Sequence, residues 1–201
     1  MLGDLSAQYE SNGDPGCISD NYGDPGGKSY GMYQFSSNAG TLNQYIDWLS
    51  DNNWWFGPVL QKQDLCSDAF DNLWKWLADT NYDDFKRSQY EFIKAYFYDP
   101  SVEILSEHNW NIDNHHEIMK DVIWSRAVQY GTGNILEMWN DAVNAMGYPN
   151  LSYIDAPNFD ADLIRKIYLV VCGSEEWNSG PYRESLNQRF TDECRDAINS
   201  L

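Results

Sequence analysis

From Thr41 onward, apolar side chains recur three and four positions apart. This period constrains the fold more than any other feature, because it lays one apolar stripe along a helix but would scatter the same residues over both faces of a strand. Thr41 can cap a helix whose inner face is Leu42, Tyr45, Ile46 and Leu49, and Asp68 can cap another carrying Phe70, Leu73, Trp74 and Leu77. Asp84 opens a third run with Phe85, Phe92, Ile93 and Tyr96, which Asp99-Pro100 is expected to halt, since a proline steers the residue before it out of the helical region. Between Glu117 and Tyr130 the apolar residues (Ile118, Met119, Val122, Ile123, Trp124, Ala127, Val128) occupy several faces, so this helix is expected to be buried and central, ended by Gly131. Ile135, Met138, Trp139 and Ala142 mark the next. Leu163, Ile164, Ile167, Tyr168 and Val171 form one more, and Leu186, Phe190, Ala197 and Leu201 stripe the last.

The beginning of the chain has a different texture. Leu2, Leu5 and Tyr9 follow Gly3-Asp4 at helical spacing and Ser11-Asn12-Gly13 supplies a stop, which predicts a short helix carrying Glu10 in its last turn. From Asp14 to Gly31 the residues are mostly Gly, Pro, Asp, Ser and Tyr. Gly26-Gly27 signals a turn, and Ser29 to Phe35 can alternate Tyr30, Met32 and Gln34 against Gly31, Tyr33 and Phe35, a small loop-rich β-hairpin. No linker divides the 201 residues and nothing repeats at the ~20–50-residue period of solenoids and arrays. The expectation is a single domain over 1–201 of α+β class, mostly α: a helical bundle with an N-terminal β-hairpin excursion lining a cleft.

Thirteen Lys and Arg stand against thirty-one Asp and Glu, a formal charge of −18. Such a chain repels phosphate backbones and anionic headgroups, so neither nucleic acid nor a membrane surface is an expected partner. Met1-Leu2-Gly3-Asp4 lacks the basic and apolar regions of a signal peptide, which predicts a chain made in the cytoplasm, and a monomer is expected. Cys17, Cys66, Cys172 and Cys194 contain no C-x-x-C pair. They are expected to be free, mostly buried thiols, with Cys172 and Cys194 the pair best placed for any bridge. Of His108, His115 and His116, the last, next to Glu117 at a helix start, reads as capping and surface rather than metal ligation; no metal or cofactor is expected.

The informative stretch is Glu10-Ser11-Asn12-Gly13-Asp14-Pro15, followed by Tyr22-Gly23-Asp24 and then Ser29-Tyr30-Gly31-Met32-Tyr33-Gln34-Phe35. Cleaving a glycosidic bond takes an acid for the leaving oxygen and a second carboxylate for the water or the sugar cation, on elements that face each other across a cleft. Glu10 on a helix end and Asp24 on a hairpin offer that pair, with Asp14 and Asp20 as rivals to Asp24 in the same loop. The negative end of a helix dipole disfavours a carboxylate anion there, the direction a general acid needs. Tyr30 and Tyr33 either stack on sugar rings or pack the hairpin on the core. Gln34 and Gln129 read as cleft residues, because a buried amide must find partners. Trp54-Trp55-Phe56 has the composition of a sugar platform, though aromatic residues more often fill cores.

Glu-Ser-x-Gly, a Gly-rich segment and Gly-x-Tyr-Gln-Phe together resemble the lysozyme-like superfamily, in particular the glycosidase domains of phage endolysins and tail lysins and of secretion-spike-associated proteins with the same signature. Trp124-Ser125-Arg126-Ala127-Val128-Gln129-Tyr130-Gly131 is similar to a Trp-Ser-x-Ala-Val-Gln-His-Gly helix of those proteins, with Tyr130 in place of His, and Gln188-Arg189-Phe190 with Glu193 is a weaker third match. The resemblance implies a glycan hydrolase of phage or prophage origin acting on peptidoglycan strands, with Glu10 as general acid, Asp24 positioning water and Ser29 assisting it. It adds Ser125 and Gln129 to Tyr30, Tyr33 and Gln34 as substrate-binding residues. Lytic transglycosylases and chitosanases share parts of the signature, and a non-catalytic glycan-binding tail module is the alternative outside enzymes. Because the acidic chain cannot cling to an anionic wall by charge, a separate wall-binding domain or a phage or secretion machine is the implied partner.

Overall fold

The segment from Ser29 to Phe35 does not run as one alternating strand but folds back on itself. In the computed structural model, β1 (Ile18–Ser19), β2 (Ser29–Tyr30) and β3 (Phe35–Ser36) form an antiparallel sheet in that order, with Ile18 opposite Tyr30 and Tyr30 opposite Phe35. The turn falls inside the expected strand because Gly31 (φ 76°) and Gln34 (φ 53°) adopt left-handed conformations, and Gln34 N donates to Gly31 O at 3.2 Å. The structure describes residues 2–3, 5, 13–20, 27–180 and 182–201. The expected helix ending at Glu10 lies outside the described residues, apart from Leu5, which is helical. The chain is α+β and mostly helical, in two compact units, Ala7–Lys94 and Met1–Ser6 with Ala95–Leu201.

In the first unit the sheet is joined by α1 (Thr41–Asp51), α2 (Gly57–Leu60), α3 (Asp68–Thr80) and α4 (Tyr82–Ile93). The expected inner faces are buried except at Leu73, which is half-buried, and Tyr96, which lies beyond α4 and is exposed, and Tyr30 and Phe35 of the sheet enter the same aromatic core. Phe35 stacks on Tyr45 at 4.6 Å between centroids, and Tyr30 meets Phe70 and Trp74 edge-on, each at 5.2 Å. Helix starts shift from the sequence reading by one or two residues. Gly40, not Thr41, precedes α1; Ser67, not Asp68, caps α3 by accepting from Phe70 N at 3.2 Å; and α4 starts at Tyr82, leaving Asp83 and Asp84 in its first turn, where the helix dipole favours them.

Asp99-Pro100 starts a helix instead of stopping one. The chain leaves α4 through a π-helical turn, Lys94–Tyr98, and Pro100 sits in the first turn of α5 (Asp99–Glu107), where its missing N–H has no helical acceptor to lose. In the second unit α6 (Ile118–Tyr130) is buried on several faces and ends at Gly131 (φ 81°), as the sequence indicates. It is followed by α7 (Ile135–Ala145), α8 (Asp160–Gly173) and α9 (Arg183–Asn199), with α8 packed against both of its neighbours. The last stripe ends at Ala197, and Leu201 is exposed beyond the helix. All four cysteines are free and only half-buried; Cys172 and Cys194 line one groove, and burial raises both thiol pKa values. No helix among the described residues is long and apolar enough to cross a membrane.

Candidate functional site

Glu10 and Asp24 lie outside the described residues, so the site is built from what flanks them. Asp14 closes a local turn, its Oδ1 accepting from Gly16 N at 2.8 Å, and Asp20 is an exposed partner of Lys28 at 3.7 Å. Ser29 is half-buried at the start of β2, opposite Ser19 and Ser36. Its two neighbours are both held by Asp71 of α3: Tyr30 donates its hydroxyl to Oδ1 at 2.6 Å, and the Lys28 ammonium donates to Oδ2 at 2.8 Å. That hydrogen bond raises the Lys28 pKa, while burial, then the same carboxylate, pushes the Tyr30 phenol well above its ordinary range. Tyr30 therefore packs the hairpin onto the core, and its side chain is fully buried.

Gln89 of α4 provides a second clamp. Fully buried, it accepts from Met32 N at 2.9 Å through Oε1 and donates to Pro15 O at 3.0 Å through Nε2; Trp74 Nε1 donates to the same carbonyl at 2.9 Å. Gly31 is required beside it, because a Cβ there would collide with Gln89 Oε1. Neither Asp71 nor Gln89 is legible in the sequence: each is a polar residue among many on a helix, and its importance comes from a partner 41 to 74 residues away. Tyr33 is buried and tilted against Phe35, with ring centroids 6.4 Å apart. Gln34, half-buried, spends its amide inside the turn, donating to Gly31 O at 2.9 Å and Cys17 Sγ at 3.6 Å.

In the second unit the two later motifs meet. Glu193 of α9, fully buried, accepts on Oε2 from Arg126 Nη2 at 2.5 Å, Ser125 Oγ at 3.1 Å and the Tyr168 hydroxyl at 3.2 Å, and on Oε1 from Arg189 Nε at 3.1 Å. The Arg126 guanidinium lies over Phe190, Tyr168 and Tyr130, 4.3, 4.9 and 5.7 Å from their ring centroids. Ser125 is thus a buried member of this cluster, whereas Gln129, on the same helix, is half-buried. Burial pushes the Tyr130 phenol up to about 12 and Tyr168 well above its usual value.

The buried histidine is His115, not His116. Its ring stacks on Trp110 at 4.0 Å and lies between Asp160 Oδ1 (2.6 Å from Nδ1) and Asp155 Oδ1 (3.2 Å from Nε2). His116 is exposed and caps locally, its Nδ1 accepting from Ile118 N at 3.4 Å. Among the described residues no group of three or more His, Cys, Asp or Glu side chains is arranged to hold a metal ion.

Residues 2–191 match the family described as type VI secretion system spike protein VgrG3-like, C-terminal, and the chain belongs to that family. A relative is the type VI secretion system spike protein VgrG3 of Vibrio cholerae serotype O1, 34% identical over 131 residues, which are 65% of this chain and 12% of that protein. This corrects the phage attribution. A few short motifs carried that attribution, whereas a match running from residue 2 to residue 191 assigns the chain to the spike family.

Proposed function

We propose that this chain is a peptidoglycan glycosidase domain, one catalytic domain over 1–201, that works at the bacterial cell wall as part of a type VI secretion spike. The observation that carries the reading is that Glu10-Ser11-Asn12-Gly13, Gly23-Asp24 and Ser29 all fall within the stretch matching the spike family. Glu10, as the neutral acid, gives its proton to the glycosidic oxygen; Asp24 takes a proton from water held with the Ser29 hydroxyl, and the water attacks the opposite face of the sugar, inverting the anomeric carbon. Half-buried Gln34 contacts the glycan, while the buried Tyr30 and Tyr33 hold the sheet on its core and Ser125 belongs to the buried Arg126–Glu193 cluster. A machine that carries the chain to the wall removes the need for positive charge, which answers the −18.

The same charge favours one second reading, a chitosanase acting on a cationic glucosamine polymer. A zymogram on purified walls and on chitosan, with mass analysis of the fragments, separates the two. Glu10→Gln is expected to lower turnover by ~10²–10⁴ without unfolding, and a variant keeping more than about a tenth of the activity contradicts the role. Asparagine at Asp24, Asp20 and Asp14 in turn should be most damaging at Asp24. An α-configured first product agrees with inversion; a retained β product or a 1,6-anhydro product rejects the water-positioning role of Asp24.

A further inference from the structure

The first unit carries two large aromatic side chains that the catalytic reading does not use. Trp55 and Trp76 are 50% and 49% exposed, and their rings meet at 6.4 Å between centroids and 80° between planes, forming an open corner of two indoles. The corner is built on rigid elements. Phe56, fully buried, anchors the loop, with its ring 5.5 Å from that of Trp55 and also 5.5 Å from that of Phe85 in the core. Trp76 lies on α3, whose inner face is Phe70, Trp74 and Leu77. It follows Asp71, which holds the hairpin, by five residues, roughly 140° round the helix at ~100° per residue. The indole corner therefore sits on a different side of α3 from the segment bearing Ser29.

Single exposed apolar side chains are ordinary, but two half-exposed indoles in contact on a packed scaffold make a contiguous aromatic surface of the kind that marks an interaction site. The occupant follows from charge and shape. A chain of net charge −18 gains nothing electrostatic from an anionic wall polymer, so affinity for it must come from contacts indifferent to charge. The apolar face of a pyranose ring against an indole is such a contact, and an amphipathic aromatic surface supplies it at low conformational cost. We propose that Trp55 and Trp76 form a second, non-catalytic glycan-binding site that holds a wall strand by stacking, apart from the bond-cleaving site. This rests on the peptidoglycan reading and extends it to how the chain stays on its substrate.

The test is co-sedimentation of the full chain with purified peptidoglycan sacculi, in a Glu10→Gln background so that the sacculi stay whole. Trp55→Ala/Trp76→Ala is expected to weaken binding about tenfold or more, and Trp55→Phe/Trp76→Phe to restore part of it. Tyr153→Ala, at an exposed aromatic of the other unit, is expected to leave binding unchanged. Rising salt should leave binding intact or strengthen it, because it screens repulsion and does not touch stacking. Sacculus binding unchanged in the double alanine variant, or collapsing with salt, overturns the proposal. Wall cleavage is scored separately on the chain with Glu10 intact: lysis with unchanged variant binding rejects only the indole site, and absent lysis with tryptophan-dependent binding rejects only the glycosidase.

Discussion

Removing Glu193 should destabilise the protein more than removing Arg126, and removing both should be less harmful than removing Glu193 alone. Arg126 is fully buried, and among the described residues its Nε and Nη1 have no hydrogen-bond acceptor; its charge is answered by Glu193, by Ser125 Oγ and by the faces of Phe190, Tyr168 and Tyr130. Glu193→Ala leaves that guanidinium as an uncompensated buried charge, at a cost of about 3–5 kcal/mol. Arg126→Met leaves Glu193 with Arg189 at 3.1 Å and with the hydroxyls of Ser125 and Tyr168, while the methionine fills most of the space. That variant should lose only about 1–2 kcal/mol. The double variant removes the stranded charge and should recover about 1–3 kcal/mol relative to Glu193→Ala. The assay is urea unfolding followed by tryptophan fluorescence, reading the midpoint at constant slope; on heating, Glu193→Ala should lower the Tm by about 10 °C. Equal losses for the two single variants, or simple additivity in the double, would refute the reasoning.

Gly31→Ala forces a side chain into a left-handed position and against Gln89, and should cost about 2–4 kcal/mol. Gly147→Ala, at φ 87° with nothing within 4 Å, should cost about 1 kcal/mol, and urea midpoints compare them. Ser67→Ala removes the acceptor for Phe70 N and should cost about 1 kcal/mol by the same measurement. Alkaline pH should unfold the chain. Burial raises the phenol pKa of Tyr30, Tyr45, Tyr98 and Tyr168, and brings Tyr130 to about 12, so the folded state keeps protons that the unfolded chain releases near pH 10. Stability is then level below about pH 10 and falls as pH rises toward 12, the sign expected when the unfolded state binds fewer protons. Phenolate absorbance should appear together with the loss of helix; buried tyrosines ionising well before unfolding would contradict it.

What the sequence determined by itself is local: the mostly helical architecture, the buried faces of α1, α3 and α6, and the end of α6 at Gly131. Period, capping chemistry and the freedom of glycine at positive φ act between residues a few positions apart, so they can be read without knowing the fold. The roles proposed for Glu10, Asp24 and Ser29 also come from the sequence, through a motif. Tertiary structure decided what the pattern left open. Pro100 is equally compatible with ending one helix and starting the next, and packing chose the start. The alternation from Ser29 to Phe35 fits a strand, but Gln89, reaching Met32 from α4, fixes the chain reversal at Gly31. Ser125 matched a motif by spacing, yet its role was set by Glu193, 68 residues further on, and His115 was set by Asp155 and Asp160. In each case the deciding term is the cost of burying a polar or charged group without a partner, and only the folded chain says which groups are buried and what stands beside them.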